Sequence, residues 1–85
     1  MTVYVDNSFI RYRSMIMCHL MADTTAELLA MVDRIGVDRR WIQKIGTTRE
    51  HFDISLAKRA KAIHCGAIEI TARAMVRMIW IREGR

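Results

Sequence analysis

The chain opens on an alternation from Thr2 to Asp6, with Val3 and Val5 on one side and Tyr4 and Asp6 on the other, the pattern of a half-buried strand. A polar connection from Asn7 to Ser14 follows and carries Arg11, Tyr12 and Arg13. Met15 to Ala22 is apolar at almost every position, so as a strand it must be covered on both faces, which predicts the centre of a sheet. Thr24, Thr25, Ala26 and Glu27 spell a capping box, and the helix it starts puts Leu28, Val32 and Ile35 on one face before Gly36 closes it. Asp38 is placed to cap a short helix through Trp41 and Ile45 that ends at Gly46.

His51 to Ile54 alternates polar and apolar again. Ser55 then caps a helix with Leu56, Ala60 and Ile63 as its buried stripe, ending at Gly66. Ala67 to Ile70 reads as a brief strand, and Thr71 caps a last helix reaching about Arg82. Strands interleaved with helices predict an α/β domain, with α+β as the variant. The expected form is a small mixed sheet of three to four strands, covered by three to four helices as a two-layer sandwich, in one domain over 1–85. In the last helix Ala72, Met75, Val76 and Ile79 can face the sheet, which leaves Met78, Trp80 and Ile81 in need of cover. That surplus predicts a homo-oligomer or a protein partner.

With 85 residues the core is thin, and 52% hydrophobic with 27% charged residues is globular rather than disordered composition. The absence of proline excludes a proline-rich linker. Cys18 and Cys65 sit in apolar runs and read as reduced core thiols, too few for a disulfide framework. The start from Met1 to Tyr4 lacks the features of a signal peptide, and Met15 to Ala22 is too short to cross a bilayer. A cytoplasmic protein with no membrane role is expected.

Net charge is +5, and it is uneven: residues 37–85 hold eleven Lys and Arg against five acids, whereas residues 1–36 hold three against four. An excess of that kind suits a nucleotide or nucleic acid as partner. Lys58 and Arg59, close after His51 and Asp53, join Arg11 and Arg13 as candidate phosphate contacts. Arg39 and Arg40 beside Trp41 offer stacking next to charge, unless Trp41 packs in the core. On a strand His51 and Asp53 project to the same face, where they could bind a metal or act as an oriented general base, or else be a surface histidine and a cap. His19, among methionines, fits a neutral core residue or a site residue, and Asp6 and Asp23 end the two strands where loops build sites. Asp6, His19, His51 and Asp53 are the candidate metal ligands. The chain contains no glycine-rich phosphate loop, His-Glu-x-x-His, paired Cys-x-x-Cys or serine elbow, which excludes P-loop, zincin and serine-hydrolase chemistry.

Thr2 to Asp6, Met17 to Asp23, Arg34 to Gly36, Arg40, Trp41 and Gln43, His51 to Ile54, Lys58 to Ala60 and Gly66 to Ile70 keep the order and spacing of a small family from bacterial and phage genomes. By these segments the chain resembles domain of unknown function 4031. The resemblance implies that Asp6, His19, Asp23, His51, Asp53, Lys58 and Arg59 are signature positions and brings no activity with it. Three functions stay open. The first is a module binding a nucleotide or nucleic-acid phosphate through the basic helix beside His51 and Asp53. The second is an interaction protein or phage inhibitor acting through the apolar last helix, and the third a metal-dependent phosphoryl hydrolase or nuclease.

Overall fold

The structure, a computed structural model, describes residues 2–85; Met1, at the head of the opening segment, lies outside them. It is a mixed sheet of five strands with three helices, a two-layer α/β sandwich to which the last helix adds partial cover on the far side. The strands are β1 (Val3–Val5), β2 (Ile10–Tyr12), β3 (Met15–Ala22), β4 (Phe52–Ser55) and β5 (Ile68–Glu69). The helices are α1 (Thr25–Ile35), α2 (Leu56–His64) and α3 (Ala72–Arg82). No helix of the described residues is long and apolar enough to cross a membrane.

β3 organises the sheet. β4 runs antiparallel along one side of it, and β1 and β2 lie end to end along the other: Leu20 pairs with both Val5 and Phe52, and Met17 with both Ile10 and Ser55. β5 continues the sheet parallel to β1. Because side chains alternate along a strand, Val5, Cys18, Leu20, Ala22, Phe52 and Ile54 all point to one face. There they meet Leu28, Met31, Val32 and Ile35 of α1 and Ala62 of α2 in one core. The opposite face receives Met17, His19, Met21 and Asp53, and α3 crosses only part of it through Ala72, Met75, Val76 and Ile79.

Helix starts follow their cap residues. The side chains of Thr24, Ser55 and Thr71 accept from the amides of Glu27, Lys58 and Ala74, and Gly36 ends α1 in the left-handed conformation. Glu27 accepts the Thr24 hydroxyl proton, so cap and carboxylate are joined directly. α3 is pinned at its ends by polar contacts: Asn7 Oδ1 accepts from the Ala72 amide, and Arg82 donates to the Ala22 carbonyl.

Four expectations are corrected. The connection after β1 contains a fifth strand, because Ile10 to Tyr12 folds back as a hairpin on the first half of β3. The start of that strand is exposed at Met15 and Ile16, so burial within β3 begins only at Cys18. The helix expected after Asp38 is a single 3₁₀ turn, Arg39–Trp41, because Gln43 pairs with His51 and draws the chain into extended backbone. Along α2 the buried position is Ala62, flanked by the half-buried Lys58 and Arg59, while Leu56 and Ala60 are exposed.

The rotation of α2 has a polar cause. Lys58 Nζ donates to the Ile35 carbonyl at 3.0 Å, at the end of α1 where unpaired carbonyls favour a cation. Replacing Lys58 by Met, which keeps the stem and removes the charge, should cost about 1 kcal/mol in urea unfolding. Lys61→Met, at an exposed position, should stay within about 0.5 kcal/mol.

Candidate metal centre

β-Sheet register places three side chains in one row, two on neighbouring strands and one just past the end of a third. His19 sits in the middle of β3 with Asp53 of β4 directly opposite, and on its other side the Asp6 amide donates to the His19 carbonyl at 3.2 Å. Asp6 follows β1, points to the same face, and is almost fully buried, with 1% of its surface exposed.

Burial of a carboxylate demands partners, and Asp6 has them. One oxygen accepts the His19 amide at 2.9 Å and the Ser8 hydroxyl at 3.0 Å. The other is 2.7 Å from His19 Nδ1. Since an ionised carboxylate only accepts, that contact assigns the ring proton to Nδ1 and turns Nε2 outward. His51 is held in the same way by a different acceptor: its Nδ1 lies 2.7 Å from the Arg49 carbonyl, which can only accept. Its Nε2 is therefore also the atom presented. Gln43 Nε2 donates to Asp53 Oδ2 at 2.6 Å, which leaves Oδ1 as the third.

These three atoms converge. Asp53 Oδ1 is 3.5 Å from His51 Nε2 and 3.7 Å from His19 Nε2, the ligand atoms lie within 4.8 Å of one another, and the two rings meet edge to face. Those separations are too long for hydrogen bonds. Around a tetrahedral zinc with bonds of about 2.0–2.1 Å, ligand atoms stand about 3.3–3.4 Å apart. In their neutral form both rings turn an Nε2 lone pair toward Asp53 Oδ1, an arrangement that a cation or a proton between them relieves. Each ligand atom also has an orienting partner behind it, the arrangement that fixes metal-binding histidines and carboxylates.

Two cavities meet at His19. One, of about 750 Å³, is lined by Ile10, Tyr12, Met15, Met17, Trp41 and Gln43 together with His19 and Asp53. The other, of about 260 Å³ under α3, brings Lys44 and Arg49 to the His51 side.

A model of the family described as protein of unknown function (DUF4031) matches residues 3–82, nearly the whole chain. The chain belongs to that family. No curated protein and no solved structure matches it. For this DUF4031 member, function therefore rests on the geometry.

Of the residues singled out from the sequence, Asp6, His19, His51 and Asp53 lie together. His19 is not a core residue but a half-exposed one paired to a buried acid. Lys58 and Arg59 line neither cavity, and Arg59 meets this cluster from the core side through the Asp6 main chain. Arg59 donates to the Asp6 carbonyl and to Glu69, and its guanidinium stacks on Phe9. Arg11 and Arg13 are exposed on the hairpin. Asp23 ties the chain ends, accepting from the Thr2 amide and Tyr4 hydroxyl and facing Arg82. Trp41 is 59% exposed, not core. Lys44 and the Arg49 carbonyl escaped the sequence reading, and Gln43 entered it only as part of the family resemblance, with no site role. Gln43 lay within a segment read as helix, and a main-chain acceptor leaves no trace in residue identity.

The Asp6 hydrogen bond raises the His19 pKa above its ordinary 6.5 against the opposing effect of burial, and the Asp6 and Asp53 charges add to the rise. Burial pushes the Asp6 carboxyl up, but the hydrogen bonds from the His19 ring and amide, the His19 charge and Ser8 outweigh it and hold it below 3.8. Burial pushes the Cys18 thiol up to about 11, so it stays protonated on the core side.

The signs of these shifts set a stability profile for the metal-free protein. The raised His19 contributes fully below pH 6.5 and loses its contribution as pH rises through its folded value. The lowered Asp6 contributes above pH 3.8 and loses its contribution as pH falls through its folded value. Urea midpoints measured in chelator should therefore be highest between these limits, and Asp6→Asn should flatten the alkaline side. An unchanged alkaline side in Asp6→Asn would refute the pairing.

Proposed function

We propose that this chain is a metal-dependent phosphoryl hydrolase in which His19 Nε2, His51 Nε2 and Asp53 Oδ1 hold one divalent ion. The donor set of two imidazoles and one carboxylate suits zinc, and iron(II) uses the same set. The observation that carries the reading is the double tether: Asp6 and the Arg49 carbonyl each take an Nδ1 proton, so both Nε2 lone pairs face the same carboxylate oxygen.

Three protein ligands leave coordination positions for water and substrate. A bound ion lowers the pKa of its water and stabilises charge developing on a phosphoryl group. In the reaction a water oxygen bonds to phosphorus, the phosphorus bond to the leaving oxygen breaks, and the water's proton ends on the leaving alcohol. Lys44 and Arg49 line the cavity beside His51, and the +5 net charge favours an anionic substrate.

A second reading, contact through the last helix, is supported by the exposure of Trp80 and Ile81 at 47% and 68%. Sedimentation equilibrium would then give a concentration-dependent mass that Ile81→Glu abolishes, and a monomer at every concentration would remove the self-association form of it.

Purified protein should bind about one zinc or iron(II) per chain, by elemental analysis and titration calorimetry. His51→Ala and Asp53→Ala should lose the ion, and Asp6→Asn should bind it roughly 10- to 100-fold more weakly. Hydrolysis of bis(p-nitrophenyl) phosphate should stop in chelator and return with metal. A protein that takes up neither ion and shows no turnover would sink the proposal.

A further inference from the structure

The larger cavity has walls that solvent exposure alone does not explain. Tyr12 and Trp41 are 58% and 59% exposed, and both line one cleft of about 750 Å³ together with His19 and Asp53. That volume lies within the range of about 300–1,000 Å³ typical of sites for one small organic ligand. Each ring carries a guanidinium: Arg13 is 5.5 Å from the Tyr12 centroid and Arg40 is 4.7 Å from that of Trp41. Rings with adjacent cations suit a planar, negatively charged ligand, although Arg40 also stands 3.6 Å from Asp38. Gln43, which donates to Asp53 Oδ2 through its Nε2, lines the same cleft and adds a polar amide to it.

We propose that this cleft receives the base of a nucleotide, stacked on Trp41 and Tyr12, with its phosphate directed to the His19, His51 and Asp53 centre. The phosphate end rests on the metal-centre reading above, whereas the base end stands on the cleft alone. Base stacking needs no particular base, so the site takes purine and pyrimidine nucleotides alike, free or at the end of a single strand. Size and charge agree with this occupant: the cleft holds about one nucleotide, and the protein carries +5.

The test uses the full chain with Trp80→Phe, which leaves Trp41 as its single tryptophan. Its fluorescence is followed with adenosine, AMP, a short oligothymidylate and ribose 5-phosphate, with and without zinc. Adenosine should quench Trp41 with or without zinc, and zinc should tighten AMP but not adenosine. AMP should bind at least about tenfold tighter than ribose 5-phosphate, and Tyr12→Ala should remove about that factor while zinc affinity is unchanged. Comparable affinity for oligothymidylate would assign the source as a strand, and preference for AMP a free nucleotide; either supports the site. Zinc bound, with ribose 5-phosphate equal to AMP and adenosine silent, would overturn the nucleotide site and leave the metal centre intact. Adenosine binding that Tyr12→Ala abolishes, in a protein that binds no zinc, would keep the base site and remove the metal centre.

Discussion

A buried carboxylate with a histidine on it is the constraint around which this small domain is arranged. Asp6 has almost no contact with water, and an ion so placed is tolerated only when its lone pairs are occupied. Its occupants are the ring and amide of His19 and the hydroxyl of Ser8, so β1, the turn after it and the middle of β3 are fastened at one point. Arg59 reaches the carbonyl of the same residue from the helical layer. One acid thereby joins the two layers, and the orientation of His19 is a by-product of satisfying it.

Much of the architecture was legible because it is local. The hydroxyls at Thr24, Ser55 and Thr71 and the glycine at position 36 mark helix ends by chemistry that acts within one turn. The misread segments are those settled at a distance. Gln43 goes extended because His51 is its partner, and Ile10 to Tyr12 becomes a strand because half of β3 has an open side. The candidate site divides along the same line. Two strand residues apart, His51 and Asp53 announce a shared face, but nothing local says that His19 stands opposite Asp53.

Sequence neighbours also mislead about charge. Lys58 and Arg59 follow His51 and Asp53 closely, yet a helix that starts at Leu56 carries them to the other layer, where both bind main-chain carbonyls. The cations at the cavity beside His51 are Lys44 and Arg49, from an irregular segment whose course depends on one bridge. Basic character in a small α/β domain is thus shared between fastening the layers and facing a ligand, and only contacts separate the two.

The register of β3 against β4 has a further consequence. His19 and His51 bracket most of the chain's middle, including all of α1 and the irregular stretch after it. An ion gripping both rings would bind only the folded pairing that closes this long loop, and so would stabilise the native chain by mass action. Pairings between strands so far apart in sequence form late and slowly. Metal supply would then decide how much of the chain is folded.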